Sequence, residues 1–197
     1  EGLDDKFVLR VYDGLLAIAK RHGVQVVGGN LTKSPQFFAD VTVIGEAIRP
    51  RLRSGARVGD FVGISGELGL AASGLQAMLR RASQEMYEPL MLRQRRPNPR
   101  AHLGIELGKS KHVNGLIDLS DGFSSELWHV SKASDVVIEI DSAKMPVNSK
   151  LKRFCQRYKY LPEDFVWNGG EDYELLVTFD SKLEKRLREK LFIVGRV

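Results

Sequence analysis

Two aspartates and a serine stand close together between Ile117 and Gly122, and these residue types bind metal ions and phosphates. Asp118 ends an apolar stretch, and Ser120 and Asp121 lead into a run with helical periodicity. Magnesium is often held by one or two carboxylates together with phosphates and water, and a helix start offers free N–H groups to an anion. Simple capping of the helix by Ser120 or Asp121 is the alternative. Capping does not require Asp118, so the pattern favours a metal or nucleotide site.

A second acidic segment, Gly-Gly-Glu-Asp-Tyr-Glu at 169–174, follows a double glycine at the start of an apolar stretch. Strand alternation would send Glu171 and Tyr173 to one face and Asp172 and Glu174 to the other. Only one of these pairs can therefore line a site. A plain glycine turn with exposed acids is the alternative interpretation.

A third glycine-containing corner lies at 28–33, after a short apolar stretch. Backbone N–H groups near Gly29 and the side chain of Lys33 could approach phosphate oxygens there. The corner lacks the full phosphate-loop pattern, so the two glycines alone are a weak signal. The small residues at 65–75 also accompany a predicted strand-to-helix passage, where close packing is the favoured interpretation.

The first 48 residues predict a small opening unit. Apolar spacing predicts a helix over 7–22 that ends at Gly23, and strands are predicted over 24–27 and 38–47. A unit of this size is too small to bury a convincing core alone, so we expect it to be the remainder of a larger domain. A charged, breaker-rich segment at 49–60 predicts a domain junction.

From residue 49 to residue 197 the predicted element types alternate. Such alternation favours an α+β domain with a mixed sheet and helices on one face, rather than a helical bundle. The predicted strands are 61–65, 113–119, 136–140, 173–179 and 192–197, and the predicted helices are 69–81, 99–108, 123–133, 148–158 and 181–190.

Composition places the chain among ordinary globular proteins. It has 197 residues, of which 43% are hydrophobic and 28% charged. No apolar run approaches the roughly 20 residues needed to cross a bilayer, and the acidic first residues lack a signal-peptide pattern. We therefore expect a cytoplasmic protein without membrane association. The single cysteine, Cys155, is interpreted as a packing residue.

The net charge of +5 permits anionic partners, but most basic residues are spread along the chain. No zinc-finger spacing or alternation of aromatic and basic residues supports nucleic acid, and we expect none. One cluster is basic, and a solvated helix face and loop is favoured there over a polynucleotide site, with a mononucleotide as a third option. Its members are Arg80, Arg81, Arg93, Arg95, Arg96 and Arg100.

The order of these segments resembles thiamine-monophosphate kinases, a family of the aminoimidazole-ribonucleotide-synthetase-like ATP-binding superfamily. The resemblance spans nearly the whole chain, and DLSDG followed by GGEDYEL is its most specific part. It implies a C-terminal α+β domain at 49–197 and, at 1–48, the remainder of a smaller N-terminal α/β domain for ATP binding and dimerisation. The motifs in order are VVGGNLTKSP, RSGARVGD, SGELGLAASGL, RRPNPRAHLG, IDLSDGFSSELWHV, NGGEDYELLVTF and IVGRV.

The resemblance implies Mg2+-dependent transfer of a phosphoryl group from ATP to thiamine phosphate, giving thiamine diphosphate, within a homodimer. At matching positions, Asp118 and Asp121 resemble the catalytic metal ligands, and Glu171 resembles a substrate contact. Protein groups in such transfers act mainly by positioning and charge stabilisation. The positions that match ATP contacts of the family are Gly29, Asn30, Arg53 and Ser120, and Asn30 also matches a metal position.

The sequence departs from the family pattern in identifiable ways. Asn30 stands where the family has aspartate, and Lys33 where it has arginine. Asparagine can coordinate a metal through its carbonyl oxygen, but it brings no negative charge. The family's N-terminal segment, with further magnesium aspartates, and its C-terminal aromatic substrate contact have no match in these 197 residues. The alternatives are another ATP-using superfamily member, such as a hydrogenase-maturation or selenophosphate-forming enzyme, and a non-catalytic relic that binds nucleotide or only dimerises.

Overall fold

The computed structural model describes residues 4–47 and 49–197 of the chain. Its contacts divide the chain into two units, Glu1–Ile48 and Arg49–Val197. The interpretation of the first unit as the remainder of an ATP-binding and dimerisation domain stays a prediction.

The first unit contains one long helix, α1, at Asp5–His22. The Asp4 side chain accepts a hydrogen bond from the Lys6 N–H group at 3.1 Å, which starts the helix two residues before the predicted position. Gly23 ends it in the left-handed conformation, with φ of 67°. The predicted helix is confirmed, although none of its described residues is buried.

The two strands predicted for the first unit are wrong. No residue between 24 and 47 belongs to a strand in the described part of that unit. The apolar side chains there are largely exposed, with Val27 at 93% and Ile44 at 92%. A strand exists only where a neighbouring strand completes its hydrogen-bond ladder. The sequence has the apolar alternation of a strand, but no described strand pairs with this segment.

The second unit is built on a five-stranded sheet with the order β2-β4-β1-β5-β3. The α+β class is confirmed, but every described strand pair is antiparallel rather than mixed. Apolar periodicity marks a strand and carries no information on the direction of its partner, which explains this difference. The strands are β1 Phe61–Ile64, β2 Val113–Asp118, β3 Glu139–Ile140, β4 Leu175–Phe179 and β5 Phe192–Arg196.

Seven helices accompany this sheet in the described part of the second unit. Two of them were missed: α3 because it contains Pro89, and α7 because it begins at Pro162, although proline suits a first helical turn. The helices are α2 Leu70–Leu79, α3 Gln84–Arg95, α4 Ala101–Lys109, α5 Phe123–Ser134, α6 Ser149–Tyr158, α7 Pro162–Asn168 and α8 Lys185–Arg188, with a 3₁₀ turn at Ser142–Lys144. Of the helix predicted at 181–190, only Lys185–Arg188, which is α8, is helical.

Helices cover both faces of the sheet, which corrects the prediction of a single helical face. Along β4, Leu176 joins the larger core with α2, α3, α5, α6 and α7, whereas Val177 joins a smaller core with Leu107 of α4 and Leu187 of α8. Neighbouring strand residues point to opposite faces, so two consecutive apolar residues require cover on both. No helix in the described part of the chain combines the length and apolar character needed to span a membrane.

Cys155 is a packing residue, as predicted. Its side chain is 1% exposed in the larger core, beside Phe154. Burial, followed by the nearby charges of Glu163 and Asp164, raises the pKa of the thiol to about 11. The thiol is therefore neutral at physiological pH and unsuited to nucleophilic chemistry.

Candidate metal and phosphate site

Two loops meet where β2 ends and β4 begins. The Glu171 N–H group donates to the Ser120 carbonyl oxygen at 2.8 Å, and the Tyr173 N–H group donates to the Leu119 carbonyl oxygen at 3.0 Å. A Cβ atom added to Gly170 would lie 2.7 Å from the same Ser120 oxygen, closer than a side chain allows. The two predicted motifs, 118–122 and 169–174, therefore form one surface.

Asp118 and Asp121 are exposed at this surface. Within the described residues, neither carboxylate has a hydrogen-bond or ion-pair partner. No group of three or more described His, Cys, Asp and Glu residues could hold a metal. Magnesium commonly takes one or two carboxylates and completes its shell with phosphate oxygens and water. The two free carboxylates fit that ion when it arrives with a phosphate ligand.

The start of α5 is not capped by a side chain, so the capping interpretation of this motif is wrong. Gly122, with φ of 115°, is the N-cap residue and makes no side-chain bond to the helix. The Ser120 hydroxyl instead donates to the buried Glu126 carboxylate at 3.3 Å. The first-turn N–H groups of α5 are thus left for another acceptor, and the helix dipole favours an anion there.

The segment that leads into β4 has an unusual backbone. Glu171 and Tyr173 have φ values of 67° and 51°, in the left-handed region that side chains rarely adopt. This conformation delays the strand to Leu175, two residues later than predicted. Such strain persists only where the surroundings hold the chain in place, and it is concentrated at functional sites.

Exposure alternates along the same segment. Asp172 and Glu174 are 3% and 0% exposed, whereas Glu171 and Tyr173 are exposed. Only Glu171 and Tyr173 can therefore line a site open to ligand. The buried pair serves the surrounding structure.

The buried Asp172 carboxylate caps α2. It accepts hydrogen bonds from the N–H groups of Gly69 at 2.5 Å and Ala71 at 2.9 Å. Burial raises the pKa of this carboxyl to about 6, although the two backbone hydrogen bonds and the Arg93 charge act in the opposite direction. The folded protein therefore favours the protonated acid more strongly than the unfolded chain does.

We expect this raised pKa to appear in the pH dependence of stability. The contribution of Asp172 is fully present below pH 3.8 and is lost as the pH rises to about 6. A shift of this size corresponds to at most about 3 kcal/mol. The measurement is the free energy of unfolding of wild type and Asp172→Asn between pH 4 and pH 7. The variant should lack part of the wild-type decline, and parallel curves would contradict the assignment.

The buried carboxylate of Glu174 forms ion pairs with Arg93 and Arg100, and sequence reasoning missed these partners. Its carboxylate accepts hydrogen bonds from Ser65 at 2.5 Å, from Arg93 at 2.6 Å and from two nitrogens of Arg100 at 2.7 Å. Burial disfavours the charged carboxylate, but the bonds from Arg100, Ser65 and Arg93 outweigh it and hold the pKa of Glu174 below its ordinary value.

The prediction of a solvated helix face is therefore wrong for Arg93 and Arg100, which are 21% and 31% exposed and paired with Glu174. The available signal was the alternation of 171–174. It placed a second carboxylate on the buried face, and a buried carboxylate requires cations from elsewhere in the chain.

The remaining predicted site residues lie elsewhere. Arg53 is exposed, and its carbonyl oxygen accepts from the Ser134 hydroxyl at 3.2 Å, at the last residue of α5. A neighbouring residue, Gly55, packs against Asn114 near the start of β2. Asn114 and Asp118 are four positions apart along the strand, a distance of roughly 13 Å. The backbone of Arg53 thus lies at the opposite end of β2 from the aspartates. Gly29 and Asn30 belong to the first unit, where both are exposed.

Comparison with known proteins identifies relatives of the chain. No protein-family model matches it. It is 38% identical over 180 residues to a thiamine-monophosphate kinase of Aquifex aeolicus. The matched region covers 90% of this chain and 58% of the relative. The Escherichia coli thiamine-monophosphate kinase is 33% identical over 183 residues, covering 89% of this chain and 54% of the relative. The chain thus spans about three fifths of the length of these curated relatives.

Solved structures give the same relationship. A crystal structure of thiamine-monophosphate kinase from Aquifex aeolicus has a TM-score of 0.87 and 32% identity, covering 98% of this chain and 66% of that one. A structure of AaThiL complexed with AMPPCP and TMP has a TM-score of 0.86 and 31% identity, covering 100% of this chain and 63% of that one. A chain of a HypE–HypF complex, at a TM-score of 0.75 and 20% identity, shares the fold alone.

The chain has an antiparallel sheet between two helical layers, and it matches solved structures of the same architecture. The fold is therefore that of an aminoimidazole-ribonucleotide-synthetase-like protein. HypE and the thiamine-monophosphate kinases share this fold. The thiamine-monophosphate kinases of Aquifex aeolicus and Pyrococcus horikoshii are 38% and 32% identical to the chain over most of its residues, whereas a HypE structure is 18% identical. The chain belongs to the thiamine-monophosphate kinase family.

Proposed function

We propose that this chain supplies one side of a thiamine-monophosphate kinase site, which transfers the γ-phosphoryl group of ATP to thiamine phosphate. The observation that carries the proposal is the surface formed by Asp118, Asp121 and Glu171. There, two carboxylates that have no partner among the described residues stand beside an uncapped helix start in a chain of this family. Each of these features suits a magnesium-bound phosphate, and together they suit phosphoryl transfer.

In the proposed reaction, an oxygen of the phosphate of thiamine phosphate attacks the γ-phosphorus of ATP. The bond from that phosphorus to the β–γ bridging oxygen breaks, and ADP leaves. Asp118 and Asp121 would hold Mg2+, which when bound would neutralise phosphate oxygens and stabilise the charge of the transition state. The α5 N–H groups bind a phosphate oxygen, and Ser120 contacts the nucleotide. Glu171 contacts thiamine phosphate through its carboxylate.

The proposal extends to residues outside this surface. Asn30 would offer its carbonyl oxygen to a metal ion and, with Gly29, contact a nucleotide phosphate. Arg53 would bind a phosphate through two guanidinium N–H groups, a geometry that lysine cannot reproduce. We also propose that the protein works as a cytoplasmic homodimer. Sedimentation of the natural gene product at micromolar concentration tests the dimer.

Ligand binding and turnover test the proposal separately. A nonhydrolysable ATP analogue with Mg2+, at about 100 times its dissociation constant, should stabilise the protein by about 2.7 kcal/mol, or about 5 °C or more in the unfolding midpoint. The control is the analogue with a chelator in place of Mg2+. The natural gene product, given ATP and thiamine phosphate, should form thiamine diphosphate. Absence of any midpoint shift would remove the nucleotide claim.

A nucleotide-binding protein without turnover is the second candidate, because Asn30 replaces a family carboxylate. The loss of one negative charge weakens a metal site, whereas the Asp118 and Asp121 surface remains able to bind a nucleotide. This candidate predicts the midpoint shift without thiamine diphosphate. Phosphorylation of a different acceptor would instead place the chain with another activity of the superfamily.

A further inference from the structure

The carboxylate of Glu171 is held in place although the residue is exposed. Its backbone N–H group donates to the Ser120 carbonyl oxygen at 2.8 Å, in a left-handed conformation with φ of 67°. Its Oε2 atom accepts a hydrogen bond from the Nε2 amide of Gln94. An exposed glutamate ordinarily samples many rotamers, because water satisfies its carboxylate in each of them. Here hydrogen bonds hold both the backbone and the carboxylate of the residue.

Gln94 is itself placed by buried structure. Arg93, its neighbour near the end of α3, pairs with the fully buried Glu174 at 2.6 Å. One turn earlier, Leu90 and Met91 of the same helix are 1% and 3% exposed in the larger core. The position of the Gln94 amide therefore follows from core packing and from a buried ion pair.

We propose that Gln94 is a positioning residue for substrate binding: its amide holds one oxygen of Glu171 so that the other faces the ligand. This inference rests on the proposed function, in which Glu171 contacts thiamine phosphate. The ligand part concerned is a cationic or N–H-bearing group, because an ionised carboxylate is an acceptor only. Gln94 leaves Oε1 of Glu171 free for that contact, since the amide engages Oε2.

Three substitutions at Gln94 separate hydrogen bonding from packing. Gln94→Met keeps the length of the side chain without a donor, Gln94→Glu places a second carboxylate beside Glu171, and Gln94→Lys retains a donor. We expect Met and Glu to raise KM for thiamine phosphate about tenfold, the value of one charge-assisted hydrogen bond. Lysine should restore KM to within about threefold of wild type. KM for ATP and the unfolding midpoint should remain unchanged, and kcat should change less than KM.

A double-mutant cycle in the natural gene product shows whether Gln94 acts through Glu171. The steady-state constants are measured for Gln94→Met, Glu171→Gln and the double variant. The expected result is that Gln94→Met has no further effect once Glu171 is replaced. Gln156→Glu, at an exposed glutamine of α6, is the matched control for Gln94→Glu and should leave every constant unchanged.

The outcomes separate the inference from the proposed function. If Glu171→Gln leaves KM for thiamine phosphate unchanged, the substrate role of Glu171 is wrong and the inference falls with it. If Glu171→Gln raises KM but Gln94→Met does not, only the positioning role is overturned. Additive effects in the cycle, or a drop in kcat alone, would also overturn it.

Discussion

Replacement of Asp121 by asparagine in the natural gene product is expected to lower kcat/KM for thiamine phosphate in the proposed transfer by about 10²–10³-fold, with the fold intact. Asparagine has the shape of aspartate, but it removes one of the two free carboxylates at the surface where β2 meets α5. The change would weaken the proposed Mg2+ site and leave the phosphate charge less neutralised in the transition state. Steady-state kinetics across a Mg2+ titration measure both effects, and excess Mg2+ should recover part of the lost rate.

Asp135 offers a matched control on the same helix. It is exposed at the C-terminal end of α5, in the left-handed conformation with φ of 54°. Asparagine is accepted there at least as readily as aspartate, so Asp135→Asn should leave catalysis and stability unchanged. Equal kinetics for Asp121→Asn and wild type at limiting Mg2+ would contradict the assignment of Asp121 to the metal.

The positions of the two main motifs, at the end of one strand and before another, could be predicted from the sequence because each motif is local. Asp118 and Asp121 are three residues apart, and the strand-to-helix corner between them requires only that β2 and α5 exist. The division of 171–174 into an exposed pair and a buried pair also followed from strand-like alternation, although the alternation does not say which pair is exposed and the backbone there is left-handed rather than extended. The contact between the two motifs is non-local, and the resemblance indicated it only through the order of the motifs.

Features that depend on distant partners could not be predicted. The strands expected in the first unit found no ladder among the described residues, and α3 was missed because Pro89 reads as a breaker. Without α3, the charge of Arg93 is assigned to solvent rather than to the buried Glu174. A charge pattern alone does not show which charged side chains are buried. The burial depends on which helix covers which strand.

Replacement of Gly74 by alanine is expected to destabilise the protein by about 3 kcal/mol, because it would separate α2 from α3. A Cβ atom at Gly74 would lie 2.1 Å from the Leu90 carbonyl oxygen of α3, and backbone cannot yield as a side chain does. The gain in helix propensity, about 1 kcal/mol, is smaller than this steric cost. Urea unfolding measures the difference in free energy of unfolding.

Gly104 of α4 is the control for the same substitution, since the nearest atom to its Cβ position is Leu175 Cδ1 at 3.8 Å. Gly104→Ala should therefore stabilise the protein by about 0.5–1 kcal/mol, the opposite sign. A neutral Gly74→Ala would show that α2 and α3 are not so closely packed. The contact also bears on the site, because α3 carries both Arg93 and Gln94. A shift of α3 should weaken thiamine phosphate binding at ligand concentrations where the folded fraction is still complete.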